Sequence, residues 1–190
     1  MPIKLHDITV VILTGGKSSR MGQNKALLEL RGMRLVDYVA GIVQKAGINN
    51  IYISGEIEGY QNIPDLFPGN GPIGGIYSSI EYLHNKHNKL LFLPVDMPLL
   101  SADFISFMVA GIDKHEAFYF RENPLPCVLR ITENVLQQTQ QLRGGFEGKE
   151  TCSVNKYLSS IDAYSIPIPD KYISNLTNTN TPEEWQEAGA

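Results

Sequence analysis

The sequence predicts a three-layer α/β fold with a mostly parallel sheet. Strand and helix signals alternate along the chain, the order in which parallel strands are joined by crossover helices. Two strand signals, 8–13 (ITVVIL) and 90–93 (LLFL), are apolar runs, and the second is near-continuous, as expected of a strand covered on both faces. With 190 residues, 43% hydrophobic and 19% charged, the chain can bury one substantial core and is too short for two comfortable ones. A single domain over 1–190 is therefore expected.

The elements follow in order. The run at 8–13 is β-branched and stops at Gly15 and Gly16, which marks a buried strand ending in a tight loop. Residues 35–43 place apolar side chains at helical spacing and reach Gly47, a C-terminal cap. Ile51, Tyr52 and Ile53 make the next strand, which ends at Ser54 and Gly55. Residues 65–72 are rich in proline and glycine and read as loop. Helical periodicity returns from 74 to about 84, with Ile76, Ile80 and Leu83 on one side. After the strand at 90–93, a helix is expected over 103–112, entered through Ser101 as N-cap. The second half is less regular. Residues 117–120 and 127–129 read as strands, 131–142 and 153–158 as helices, and 163–166 as a strand before Pro167 and Pro169. Thr181, Pro182, Glu183 and Glu184 supply a cap, a proline at the first helical position and first-turn acids, so a final helix is expected.

Ligands of parallel α/β sheets bind beyond the carboxyl ends of the strands. The loop after the first strand, Ser54 and the Pro94-Val95-Asp96 segment all follow strands, so they can converge on one edge. The first of these reads Thr14-Gly15-Gly16-Lys17-Ser18-Ser19-Arg20-Met21-Gly22-Gln23-Asn24-Lys25. Paired glycines let backbone N–H groups approach a ligand closely. Arg20 adds a planar fork and Lys25 a mobile point charge. Strand, glycine turn and two cations together describe a phosphate cradle. For a bare Gly-Gly, an ordinary turn with solvated charges is the plainer reading. The spacing here is neither G-x-x-x-x-G-K-[ST] nor G-x-G-x-x-G.

Asp96 is the best candidate for a magnesium ligand. It ends an apolar strand, and Pro94 and Pro98 hold its backbone away from helix and regular ladder pairing. Magnesium takes one or two carboxylates together with phosphate oxygens and water. Capping of the following helix is already supplied by Ser101. Taken alone, Asp65 is a turn-stabilising loop aspartate and Asn178 and Asn180 are capping asparagines. His84 and His87 lie beside Lys86 at a polar helix end and read as a solvated face, not a metal pair. His6 and His115 have no evident partner. Cys127 and Cys152 form no C-x-x-C pair, which excludes a cysteine-rich zinc site and points to two reduced thiols. No Ser-His-Asp or Cys-His set is present for covalent catalysis.

The stretch L-T-G-G-K-S-S-R-M-G-Q-N-K at 13–25 resembles the signature L-A-G-G-x-x-x-R-M-G-x-x-K of the nucleotidyltransferases that build molybdenum cofactors. Three later motifs fit that family in the same order: G-P-I-G-G-I at 71–76, L-P-V-D-M-P at 93–98 and N-T-N-T-P-E-E at 178–184. The resemblance implies a three-layer, Rossmann-like nucleotidyltransferase fold. It also implies transfer of GMP from GTP to the phosphate of molybdenum-molybdopterin, with release of pyrophosphate. Leu13, Thr14, Gly15, Gly16, Lys25, Ser54, Asp65, Gly71 and Asp96 would meet the nucleotide. Arg20, Lys25 and Asp96 would be catalytic, Asp96 would hold Mg2+, and Asn178 and Asn180 would hold the second substrate. Ser54 stands where the family often has the longer asparagine, and Thr14 replaces the commoner alanine.

The motif at 71–76 looks closer to the guanylyl branch. Two alternatives stay open: a CTP-dependent transferase making the cytosine form, and a nucleotide-binding or cofactor-carrying protein without turnover. Sugar nucleotidyltransferases have a longer opening loop, with a basic-proline segment before the lysine that is missing here. A net charge of −4 gives no broad basic footprint, so no nucleic-acid partner is expected. Residues 1–7 lack the apolar stretch of a signal peptide and no run approaches a membrane span, so a cytoplasmic location without membrane attachment is expected. The Asn175-Leu176-Thr177 glycosylation pattern is accordingly read as chance. Proteins that deliver molybdopterin, and the molybdoenzymes that receive the product, are the partners the resemblance suggests.

Overall fold

The structure, a computed structural model, describes residues 7–14, 25–30, 32–112, 114–148 and 152–177. Its centre is a seven-stranded sheet. Strand β1 (Thr9–Leu13) lies between β4 (Asn50–Ser54) and β6 (Lys89–Pro94), and both pairings are parallel. Outside β4 runs β5 (Gln61–Ile63), also parallel. On the other side β8 (Asn123–Arg130) pairs antiparallel with β6 and with β7 (Ala117–Phe120), and β9 (Tyr164–Ile166) closes that edge parallel to β7. Only β8 runs against the others, so the expectation of a mostly parallel sheet holds. A separate two-stranded ribbon pairs β2 (Glu29–Leu30) with β3 (Met33–Arg34).

Period-two alternation divides the core between the two sheet faces. In β1, Val10 and Ile12 join one cluster while Val11 and Leu13 join the other. In β6, Leu91 and Leu93 go to the first, and Leu90 and Phe92 to the second. The first cluster is covered by α1 (Leu35–Lys45) and α3 (Ala102–Gly111). The second is covered by α2 (Pro72–Leu83), α4 (Glu133–Glu147) and α5 (Val154–Ser160). The central strands must be apolar on both faces, which is why 8–13 and 90–93 show no alternation of polarity.

Helix boundaries follow cap chemistry. Ser101 Oγ accepts from the Phe104 N–H at 3.2 Å, as expected of an N-cap. α1 ends against Gly47, whose φ of +86° and 2.8 Å bond from N–H to the Gln44 carbonyl close the last turn. α2 starts two residues before the periodicity suggests, because Pro72 suits a first helical position and Gly71, at φ +64°, makes the entry. α4 starts two residues late, since Thr132 Oγ1 caps it through the Val135 N–H at 3.3 Å. Among the described residues, no helix is long and apolar enough to cross a membrane.

Candidate active site

Parallel pairing puts the carboxyl ends of β1, β4, β5 and β6 on one edge of the sheet. There Leu13, Ser54 and Pro94 are register partners on adjacent strands. The described ends of the three segments picked out in the sequence, Thr14, Ser54 and Pro94, therefore come together. Beyond Leu13, Thr14 turns its hydroxyl sideways, and Oγ1 donates to the Ser54 carbonyl at 2.7 Å. That side chain is thus used to tie two strand ends together. Gly55 next to it, at φ +132°, could carry no Cβ, which would stand 2.5 Å from Thr14 Oγ1.

Lys25 opens a 3-10 turn (Lys25–Leu27), and its ammonium reaches across to the loop after β6. Lys25 Nζ donates to Asp96 Oδ2 at 3.1 Å, with the two side chains 19% and 22% exposed. The position is enforced from both sides. The Leu35 N–H of α1 donates to the Leu28 carbonyl at 2.8 Å, fixing the turn that carries Lys25. The Val95 N–H donates to the Leu13 carbonyl at 3.2 Å, and Val95 and Met97 are buried. Asp96 lies between these two anchors with a half-buried carboxylate. A cation and an anion are therefore held together at the ligand edge.

The entry to α2 forms the other wall. Asp65 Oδ1 accepts from the Phe67 N–H at 3.0 Å, and Ser78 Oγ is 3.4 Å away. Ser78 Oγ also accepts from the Leu66 N–H at 2.9 Å and donates to the Gly74 carbonyl at 2.8 Å. The aspartate thus stabilises its own turn through one oxygen, the role its loop position suggests on its own. Close approach is obligatory at Gly75, where a Cβ would come 2.6 Å from Ser54 Oγ and 3.1 Å from Leu13 Cδ2. Ser54 is only 4% exposed, packed against this helix.

Gly15, Gly16, Arg20, Asn178, Asn180, His6 and the helix expected at 181–185 lie outside the described residues. His84 and His87 stand at the opposite edge, in an open hollow with Asp7, Asn50, Lys86 and Lys89. His84 Nδ1 lies 2.9 Å from the Glu81 carbonyl, and His87 Nε2 3.4 Å from the Tyr52 hydroxyl. Burial, with Lys86 adding to it, pushes His87 below the usual imidazole range. No group of three or more His, Cys, Asp or Glu is placed to hold a metal among the described residues. His115 stacks on Tyr164 with ring centroids 3.8 Å apart. Cys127 is fully buried, which pushes its thiol up to about 12, and no disulfide joins it to Cys152.

Residues that sequence reasoning passed over are Tyr172 and Asn175 of the 3-10 helix Asp170–Leu176, both buried and both bonded to the start of α3. Asn175 drew notice only as a glycosylation pattern, and at 7% exposure its side chain is an interior one. A buried asparagine in an irregular segment leaves no periodic signal to find it by.

Residues 10–153 match the family model described as the MobA-like NTP transferase domain. The molybdenum cofactor guanylyltransferase of Xanthomonas euvesicatoria pv. vesicatoria is 33% identical over 93% of this chain and 92% of its own. The one from Yersinia pestis is 28% identical over 95% and 96%. Among solved structures, molybdopterin-guanine dinucleotide biosynthesis protein A from Archaeoglobus fulgidus aligns with a TM-score of 0.73 at 18% identity, over 95% and 96% of the two chains. The 2-C-methyl-D-erythritol 4-phosphate cytidylyltransferase of Thermus thermophilus aligns at 0.66 with 10% identity, over 99% and 97%. These structural likenesses are of fold, and the fold is the Rossmann-like one of nucleotidyltransferases.

Proposed function

The chain belongs to the MobA-like NTP transferase family, and from that membership we propose that it transfers GMP from GTP to the phosphate of molybdenum-molybdopterin. Pyrophosphate leaves and the guanine dinucleotide form of the cofactor results. The observation that carries this reading is the Lys25–Asp96 pair at the carboxyl edge of the sheet, on the two motifs that the family signature spans. The acceptor phosphate would attack the α-phosphorus of GTP. A phosphate monoester is already largely ionised near neutral pH, so no strong general base is needed, and positioning with charge neutralisation supplies the rate.

Lys25 would exchange Asp96 for a phosphate oxygen when the triphosphate enters, and Arg20 would add a second cation. Asp96, released from that contact, would hold Mg2+. The donor set fits: one partly exposed carboxylate at the ligand edge, with phosphate oxygens and water for the other positions. Mg2+ held by Asp96 would supply positive charge against the negative charge that develops on the phosphates. Leu13, Thr14, Gly15, Gly16, Ser54, Asp65 and Gly71 would line the nucleotide, and Asn178 and Asn180 the second substrate. Residues 1–190 would act as a single nucleotidyltransferase domain in the cytoplasm, receiving molybdopterin from a delivery protein and passing the product to a molybdoenzyme.

Calorimetry with GTP, CTP, ATP and UTP in the presence of magnesium tests the choice of base. GTP is expected to bind tightest, because a site built to hydrogen-bond guanine leaves polar groups unpaired with the wrong base. Equal or tighter binding of CTP would move the chain to the cytidylyl branch.

A further inference from the structure

The 3-10 helix Asp170–Leu176 packs on the start of α3, where the loop carrying Asp96 ends. Two side-chain hydrogen bonds join them across the sequence. Ser101 Oγ donates to Asn175 Oδ1 at 2.7 Å, and Tyr172 OH donates to Asp103 Oδ2 at 2.7 Å. The Ser101 hydroxyl is at the same time the cap of α3, so its proton goes to Asn175 and a lone pair to the helix. The Tyr172 ring stands edge-on to Phe104 at 5.4 Å and tilts against Phe107 at 5.0 Å. The C-terminal segment is therefore seated by apolar contact and oriented by its two polar bonds.

The loop between β6 and α3 is held at both ends. Val95 is bonded to Leu13 at one end, Ser101 to Asn175 at the other, and Met97 and Leu100 are buried between them. Between these ends Asp96 turns its carboxylate towards Lys25. Releasing the Ser101 end would widen the range of positions open to that carboxylate without removing any group from the site.

We propose that Asn175 and Tyr172 are positioning residues that fix the Asp96 carboxylate through Ser101, at the end of its loop, and Asp103, in the first turn of α3. The inference rests on the reading of Asp96 as the magnesium-side carboxylate. It makes the C-terminal segment a working part of the metal site, although neither residue touches substrate.

The test is an equilibrium titration of Mn2+, a paramagnetic substitute for Mg2+, with the full chain in excess over GTP and free metal followed by EPR. Asn175→Ala is expected to weaken Mn2+ binding roughly three- to tenfold, the scale of one net hydrogen bond. Asn175→Asp keeps the acceptor and is expected to restore it. Affinity for GTP without metal should be the same in all of them. Tyr172→Phe removes only a hydroxyl and is expected to shift Mn2+ affinity in the same direction, so it serves if Asn175→Ala does not fold. Wild-type Mn2+ affinity in folded Asn175→Ala or Tyr172→Phe would overturn the positioning role. Asp96→Asn separates the two ideas. If it loses Mn2+ binding while the other variants keep it, only the positioning role falls; if it keeps wild-type affinity, the metal reading falls and takes the proposal with it.

Discussion

Lys25 Nζ and Asp96 Oδ2 lie 3.1 Å apart although 71 residues separate them, and they meet because β1 and β6 are parallel neighbours. Each strand delivers its following loop to the same edge. The pair is neutral as it stands, and in the proposed reaction a triphosphate with its metal would bring a partner for each member. The pairing keeps a cation and an anion within reach of one another at that edge.

Loss of the ammonium should be felt in triphosphate binding. Lys25→Ala is expected to weaken GTP binding about tenfold or more, the scale of a charge-assisted hydrogen bond. Arg20→Ala should act in the same direction. Far-UV circular dichroism checks that the variants fold. GTP affinity equal to wild type in both would remove the phosphate cradle from the account.

A second test concerns the packing under the site. Gly75→Ala would push a methyl group to 2.6 Å from Ser54 Oγ and 3.1 Å from Leu13 Cδ2. Overpacking of this kind costs about 1–3 kcal/mol. Ser54→Ala in the same chain removes the nearer atom, so the double variant should be less destabilised than the sum of the singles. Urea midpoints measure all three, and strict additivity would mean that the two side chains do not meet.

Acid stability depends in part on Asp37. Its carboxylate accepts from Arg34 Nε at 2.7 Å and Nη2 at 2.9 Å, and from the Tyr60 hydroxyl at 2.8 Å. The Arg34 guanidinium holds the carboxyl below its ordinary value, against the opposing pull of burial and with help from Tyr60. The folded value lies below the unfolded one, so this stabilisation is full above the unfolded value of 3.8 and is lost as pH falls through the folded value. Tyr60, pushed up to about 12 by burial and then by Asp37, loses its share as pH rises from 10 towards that value. Both contributions are modest because solvent screens the group. Asp37→Asn is expected to lower the urea midpoint at neutral pH and to lose less than wild type below about pH 4. Parallel acid limbs in the two proteins would contradict this.

The sequence made the central strands plain because strands covered on both faces must be apolar throughout. It showed Asp96 for a related reason, since a carboxylate between two prolines at the end of such a strand has few structural uses. What it hid is short or irregular. β5 is three residues with one apolar side chain buried, and β2 and β3 have two residues each. The first half of β8 was concealed by Pro124 and Pro126, which argue against a strand. They are tolerated because the ladder to β6 stops at Cys127, and the register to β7 shifts between Tyr119 and Phe120. The Ser101–Asn175 bond joins a loop residue to one in a short 3-10 helix, which no local pattern relates. The pairing of Lys25 with Asp96 was equally invisible, although each residue stood out on its own.

The proposed transferase reaction depends on Asp96 as its metal-side carboxylate. The most direct measurement is pyrophosphate release from GTP with molybdenum-molybdopterin over a range of magnesium concentrations, comparing wild type with Asp96→Asn. The substitution keeps the size of the side chain and removes the charge that attracts a hard dication. Wild type is expected to release pyrophosphate in a magnesium-dependent way, and the variant to bind GTP through Lys25 yet turn over slower by about two orders of magnitude or more. An Asp96→Asn protein with wild-type turnover and the same magnesium dependence, or a wild type that binds GTP and releases no pyrophosphate with authentic molybdopterin, would contradict it.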